Sequence, residues 1–167
     1  MQSDLSLLNK QRRLVVAGLL AMAAAGAVAA NSSSDTYTWS AELVAVDEPA
    51  RTVTVQAGLV SNAEIAWNHL EAGDRVTLTW SGLNTAAGVR RIVDGAAPAD
   101  DRLTLPIEFV SGEHDNRYVR FKVAVPSADV AKLTSLSPGS WITATSPRRA
   151  ARYEEAVAAV RPYNDVR

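Results

Sequence analysis

The chain has 167 residues, a formal net charge of −1 at pH 7 and no cysteine. The lack of cysteine excludes disulfides, thiolate metal sites, lipid-modified cysteines and covalently attached haem, so a hydrophobic core must hold the fold. The slightly acidic balance argues against a nucleic-acid partner, because nucleic-acid-binding proteins present basic surfaces.

Residues 1–30 are predicted to be a signal peptide. Lys10, Arg12 and Arg13 form a basic start, and the uncharged run 14–30 ends in small residues, as signal peptidase requires. The alternative is a membrane anchor through this run, which lies at the short limit for crossing a bilayer. In either case we expect the rest of the chain to be exported to a bacterial periplasm or to the outer face of the inner membrane.

The remaining chain is predicted to contain two copies of one unit, offset by 66 positions. Residues 36–81 align with residues 102–147 without a gap. The identical pairs are Thr38/Thr104, Glu42/Glu108, Val44/Val110, Arg51/Arg117, Val53/Val119, Ser61/Ser127, Leu70/Leu136, Gly73/Gly139, Thr77/Thr143 and Thr79/Thr145. We therefore predict a first ββαββ repeat at 31–94, a linker at 95–101 and a second repeat at 102–167.

The first copy is predicted to open with a hairpin whose turn contains Pro49 and whose second strand alternates strictly. A short helix then begins at Ser61, where Glu64 completes a capping box, and ends at Gly73. The strands of this copy are predicted at 41–46, 51–56, 75–80 and 89–93.

The second copy repeats the order. Its hairpin turn is predicted at 111–116, and its helix begins at Ser127 with Asp129 in the first turn and ends at Gly139. The strands after the hairpin turn are predicted at 117–125, 141–146 and 157–162. The segment 147–155 is left open between a loop and a short helix.

The predicted fold is mainly β, a barrel or sandwich of eight strands with two short helices and pseudo-twofold symmetry. Two arrangements fit: two small barrels side by side, or halves that exchange strands around one core. Four strands alone leave exposed edges and a thin core, so the shared core is the prediction.

Glu113, His114 and Asp115 are the candidate metal ligands, since one imidazole and two carboxylates suit Zn²⁺ or a harder ion. However, they are consecutive in a hairpin turn, where alternate side chains point apart, so a solvated turn is expected. Met1 and Met22, the only methionines, both precede the exported part, which excludes a methionine-based Cu(I) site there. Neither a metal nor a cofactor is expected.

No catalytic residue is predicted. The sequence lacks a nucleophile elbow, a phosphate loop and a dinucleotide fingerprint. His69 is expected to cap the first helix or to pack in the core, because no serine, threonine or carboxylate accompanies it in a recognisable motif.

Three tryptophans are candidates for a partner or ligand surface: Trp67, Trp80 and Trp141. Trp80 and Trp141 fall at strand ends near loops, where exposed rings stack on sugars, bases or a partner. Core packing is the alternative for these rings.

A basic cluster, Arg148, Arg149 and Arg152, is the other candidate surface, suited to lipid headgroups or an acidic partner. Glu154 and Glu155 follow at once, so local ion pairing is the alternative.

The composition and motifs favour a non-catalytic accessory or adaptor subunit of a cell-envelope assembly, which binds a protein through loops or by strand addition at a sheet edge. The alternative is a periplasmic carrier that holds a small ligand in a cleft between the two repeats. A hydrolase using His69 or His114 is the third hypothesis.

Overall fold

The computed structural model describes residues 35–82, 87–99, 101 and 103–163. The predicted signal peptide, residues 1–30, lies outside the described residues. Across the described ranges, no helix has the length and apolar character needed to cross a bilayer.

Within the described residues the chain forms eight strands, one α-helix and two 3₁₀ turns. The strands are β1 Thr36–Asp47, β2 Thr52–Ile65, β3 Arg75–Trp80, β4 Val89–Val93, β5 Thr104–Glu113, β6 Tyr118–Ala124, β7 Trp141–Pro147 and β8 Ala159–Pro162. The helix is α1, Ser127–Leu133, and the 3₁₀ turns are Trp67–His69 and Tyr153–Glu155. The prediction of a mainly β fold is confirmed.

The described strands form one sheet in the order β4-β3-β5-β6-β2-β1-β7-β8, and β4 also pairs with β2 in parallel. The additional pairing closes β2, β4, β3, β5 and β6 into a five-stranded barrel, from which β1, β7 and β8 extend. Strand β2 can serve both parts because it is 14 residues long. Its first half pairs with β1 and β6, and its second half runs beside β4.

Strands from the two halves of the chain are hydrogen-bonded to one another. Strand β1 pairs with β7, where Thr38 faces Thr145, and β5 pairs with β3, where Thr104 faces Thr79. The buried apolar side chains of the described residues form a single cluster. Of the two arrangements considered, the structure therefore has the shared core.

Both hairpins are bulged, β1 within 43–45 and β5 within 109–111. In each hairpin the last residue of the turn has a left-handed backbone, Arg51 with φ of 53° and Arg117 with φ of 54°. Bulges increase the local twist of a strand pair, which helps a sheet to curl into a barrel.

Trp39 lies deep in the core. Its ring centroid is 5.4 Å from that of Trp80 and 6.0 Å from that of Phe121. Its indole N–H donates a hydrogen bond of 2.8 Å to Ser146 Oγ, so its polar group is satisfied although the ring is buried.

The first predicted helix is wrong. Ser61 and Glu64 lie in β2, and only the 3₁₀ turn Trp67–His69 follows. Strand β4 provides the reason, because Glu64 pairs in register with Arg91 and binds its guanidinium at 2.7 Å instead of capping a helix. The second predicted helix is present as α1, so one of the two expected helices forms.

Candidate binding surface

Trp80 and Trp67 are both placed by packing within the chain. Trp80 is only 2% exposed, so the core role considered for it is the one observed. Trp67 is half-buried against Phe109, at 6.5 Å between ring centroids, and its ring covers Gly112, where a side chain would overlap it. Trp80 is therefore closed to a partner, and Trp67 keeps only part of its surface open.

The guanidinium groups of the basic cluster all bind other parts of the chain. Arg148 Nε lies 2.6 Å from the carboxylate of Asp35, and Arg152 Nε donates to Glu155 at 3.0 Å. Arg149 Nη2 donates to the backbone oxygens of Pro98 (3.3 Å), Ala99 (2.7 Å) and Asp101. The cluster therefore secures neighbouring segments, and Arg149 holds the stretch that leads from β4 to β5.

The Glu113–His114–Asp115 turn is exposed. Glu113 accepts hydrogen bonds from the Tyr118 hydroxyl and the Asn116 amide, and these bonds, that of Tyr118 foremost, lower the pKa of its carboxyl. His114 Nδ1 lies 3.7 Å from Asp115 Oδ1. In the described part of the chain no three His, Cys, Asp or Glu side chains come together in a way that could hold a metal ion.

Trp141 differs from the other tryptophans because half of its surface is open. It is 48% exposed and Tyr163 is 49% exposed, and among the described residues no other large hydrophobic side chain is classed as exposed. The two ring centroids are 6.5 Å apart with the rings tilted by 60°. The Tyr163 amide donates to the Trp141 carbonyl at 2.9 Å, which fixes the two residues side by side.

A row of polar side chains continues from this aromatic pair across the sheet. Trp141 on β7 faces Glu42 on β1, Glu42 faces Gln56 on β2, and Gln56 faces Arg120 on β6. Directly opposed residues of antiparallel strands project from the same face, so these side chains are neighbours. We call Tyr163, Trp141, Glu42, Gln56 and Arg120 the aromatic–polar row.

Hydrogen bonds order the polar end of the row. Gln56 Nε2 donates to Glu42 Oε2 at 3.5 Å, and Arg120 Nε donates to Gln56 Oε1 at 2.9 Å. The Arg120 guanidinium also lies over the Tyr118 ring, 5.2 Å from its centroid. The side chains of Glu42, Gln56 and Arg120 are therefore already held in place and lose little further conformational freedom when a partner binds.

A second row crosses the sheet 66 residues away in sequence. There Arg75 on β3 faces Glu108 on β5, and Glu108 faces Lys122 on β6. The Glu108 carboxylate binds both cations, at 3.1 Å to Arg75 and 3.2 Å to Lys122. The Arg75 guanidinium lies 3.6 Å from the centroid of the Tyr153 ring, whose burial raises the hydroxyl pKa to about 12.

A groove of about 640 Å³ adjoins this second row. Its walls come from the first hairpin turn around Arg51, from β5 and β6 at Glu108 and Lys122, and from the segment containing Tyr153. Residues of both halves of the chain contribute, but no tryptophan does. Cations and carboxylates both line it, so it has no dominant charge.

The free edge of β8 is protected against strand addition. Within the described sheet β8 pairs only with β7, and its outward-facing amide at Val160 donates to Asp129 Oδ2 at 3.0 Å. The other outward position is Pro162, which has no N–H. Lys132 Nζ, at 2.6 Å, and the Val160 amide hold the pKa of the Asp129 carboxyl below its usual value.

Comparisons of the chain with protein-family models, with curated proteins and with solved structures gave no match. Arguments about function therefore rest on the residues of this chain.

Sequence reasoning identified Trp141 but missed Glu42, Gln56, Arg120 and Tyr163, because each is unremarkable alone and only the strand register brings them together.

Proposed function

We propose that the chain is a non-catalytic module, exported to the cell envelope, that binds a protein partner through the aromatic–polar row. The observation that carries the proposal is the side-by-side pair Trp141 and Tyr163, each about half exposed. Leaving two such rings in water gives up hydrophobic burial that a docked partner would recover.

The chemistry of the row favours a protein partner. Tryptophan, tyrosine and arginine are the side chains that most often contribute strongly to protein–protein binding, and the row contains all three in Trp141, Tyr163 and Arg120. The ordered carboxylate and amide of Glu42 and Gln56 lie between them and offer directional hydrogen bonds.

The protected edge of β8 favours docking of the partner on the sheet face. Because Asp129 already accepts from the Val160 amide and Pro162 has no donor, an added strand would find no backbone N–H available along β8. The partner in this proposal therefore contacts side chains on the sheet face.

We also infer that the chain is a tandem repeat with pseudo-twofold symmetry about the contact between β2 and β6. Three structural features support this, and each is repeated at an offset of 66 residues. They are the registers of the β1–β7 and β5–β3 pairs, the two bulges, and the left-handed backbones of Arg51 and Arg117. The repeat matters for function because position 75 is an arginine and its counterpart, position 141, is a tryptophan. The second row has an internal ion pair where the aromatic–polar row exposes a ring.

Photo-crosslinking in the producing cells tests the partner. Arg161 is exposed and lies on the same face as Tyr163, so a benzophenone amino acid at this position should capture the partner, whereas one at exposed Glu48 in the first hairpin turn should not. Trp141→Ala and Tyr163→Ala together should abolish the capture, and Arg152→Ala should leave it intact. Capture that is equal from positions 161 and 48, or unaffected by loss of both rings, contradicts the proposal.

Export is tested by the mass and amino terminus of the natural protein. A chain that begins near Asn31 in the soluble envelope fraction supports a cleaved signal peptide, and an intact Met1 in the membrane fraction supports an anchor. A full-length chain in the cytoplasm contradicts export.

A second candidate function, a small-ligand carrier, is favoured by the groove beside Arg75 and Lys122. Its volume of about 640 Å³ lies in the range of small-molecule sites, and both halves of the chain line it. A screen of sugars, lipids and metal ions by thermal unfolding tests this function. A ligand whose stabilising effect disappears in Lys122→Ala and persists in Trp141→Ala supports the carrier, and no stabilisation by any compound argues against it.

A further inference from the structure

Glu42 and Glu108 occupy equivalent places in the two rows but have different neighbours. Glu108 faces Arg75 and Lys122, and its carboxylate binds both at 3.1 and 3.2 Å. Glu42 faces Trp141 and Gln56, and in the part of the chain that the structure describes no cation forms an ion pair with it. Among the described residues, one carboxylate is thus neutralised by two cations and the other is paired with none.

The surroundings of Glu42 are those that a cation prefers. The carboxylate is half-buried and accepts one long hydrogen bond, of 3.5 Å, from Gln56. Trp141, in register beside it, and Tyr163 beyond it expose their rings. A carboxylate next to electron-rich ring faces attracts a guanidinium or ammonium group through both charge and cation–π contact.

We propose that Glu42, Trp141 and Tyr163 form a receptor for an arginine side chain of the protein partner. The inference rests on the proposed function and names the chemistry that the partner must present. The second row contains the corresponding assembly within the chain, with the Arg75 guanidinium between the Glu108 carboxylate and the Tyr153 ring, 3.6 Å from the ring centroid. At the aromatic–polar row the partner supplies the missing guanidinium.

Arginine fits this receptor better than lysine. A planar guanidinium can donate two hydrogen bonds to one carboxylate while its face lies against an aromatic ring, whereas an ammonium is a compact, strongly hydrated charge. The row's own cation, Arg120, is two strands from Glu42, about 10 Å at the usual strand spacing, and is bound to Gln56. It is therefore held away from Glu42 and Trp141.

Titration of the ¹⁵N-labelled full chain with N-acetyl-arginine amide tests the receptor directly, with the Trp141 indole resonance as the signal. N-acetyl-citrulline amide is the matched probe, since it keeps the shape of arginine without its charge. We expect a saturable shift with arginine, at least about threefold weaker binding of citrulline, and a similar loss in Glu42→Gln. Glu108→Gln, which changes the equivalent carboxylate, should bind arginine as the natural chain does.

Three results would overturn the receptor. They are equal binding of arginine and citrulline, arginine binding that Glu42→Gln leaves unchanged, and a response of the Trp141 indole to soluble oligosaccharides without one to arginine.

Crosslinking from position 161 separates this inference from the function it rests on. If Trp141→Ala with Tyr163→Ala abolishes partner capture but Glu42→Gln and Glu42→Lys do not, the receptor is wrong and the protein-binding function stands. If the double variant also captures the partner, the proposed function itself fails. Loss of capture in Glu42→Lys, with native thermal unfolding, supports the arginine receptor.

Discussion

The carboxylate of Asp129 on α1 accepts a hydrogen bond of 3.0 Å from the backbone amide of Val160 on β8. This bond connects the helix to the last strand. It also gives an acceptor to a buried N–H group that points away from β7. The same carboxylate accepts from Lys132 at 2.6 Å, one turn along the helix.

Replacing Asp129 with alanine should destabilise the fold by about 1–3 kcal/mol, because the Val160 amide is left buried without an acceptor. Denaturant unfolding measures the loss. The opened edge should also promote self-association, visible in light scattering. Lys132→Ala is the control, since it leaves the Val160 bond in place, and an equal effect of the two variants would show that the edge bond is unimportant.

The stability of the fold should depend on Asp129 at acid pH. Its pKa is lowered from 3.8 in the folded chain, mainly by the hydrogen bond from Lys132, so the unfolded chain binds the proton more readily. The contribution is present above pH 4 and is lost as the pH falls through the lowered folded value. Denaturant unfolding of the natural chain and of Asp129→Asn between pH 6 and 2 should therefore converge at the acid end, and parallel curves would contradict this.

Asp101 should be a costly carboxylate to remove. It is fully buried and accepts hydrogen bonds from Thr79 (2.8 Å) and from Arg91 (3.1 Å). Asp101→Ala leaves the buried Thr79 hydroxyl without its acceptor and removes one of the carboxylates that bind Arg91, so we expect a loss of about 2 kcal/mol in the free energy of unfolding. Asp35 lies 66 residues earlier and binds Arg148 while its own side chain is 76% exposed, so Asp35→Ala should cost less than about 1 kcal/mol. Equal losses would contradict the difference in burial.

Gly112→Ala should destabilise the chain by about 1–3 kcal/mol, because the added methyl group would overlap the Trp67 ring. In the other copy, the position equivalent to Gly112 is Val46 and the position equivalent to Trp67 is Leu133. A smaller leucine at position 67 should therefore make room for a side chain at position 112. Trp67→Leu in the same chain should recover part of the loss, and thermal unfolding of the two single variants and the double variant measures the coupling. Additive effects would show that the ring is not the obstacle.

Arg51→Gly should stabilise the fold by up to about 1 kcal/mol, since φ of 53° strains any residue with a Cβ and glycine relieves it. Arg117 has almost the same backbone, but its guanidinium donates to the Val60 carbonyl at 2.6 Å. Arg117→Gly loses that bond and should be less stable than Arg51→Gly by about 1 kcal/mol, as measured by denaturant unfolding. The reverse order would contradict the argument.

Local patterns predicted the strands well and the first helix badly. The predicted ranges 75–80 and 89–93 coincide with β3 and β4, because alternation and turn residues are properties of the segment itself. The capping box at Ser61 and Glu64 is equally local, yet Glu64 binds Arg91 on a strand that the pattern cannot anticipate. Tertiary pairing outweighed a preference worth little on its own.

The candidate surface was harder to predict than the fold. Glu42, Gln56 and Arg120 lie far apart in the sequence, and only register makes them neighbours. A signal was nevertheless available in the aligned copies, where glutamate is kept at 42 and 108 while its neighbour is arginine at 75 and tryptophan at 141. A comparison of repeats can search for this pattern, in which both copies have the same carboxylate but only one copy has a cation at the neighbouring position.

The pairing of β1 with β7 also governs when the chain can fold. Thr38 reaches its partner Thr145 only after more than a hundred intervening residues have been made, and closing so long a loop is costly in entropy and slow. Strand β3 likewise waits for β5, so neither half can complete its hydrogen bonding first. The β1–β2 hairpin can therefore form early, but the side of β1 that pairs with β7 stays open until β7 is present, and the shared core closes only then.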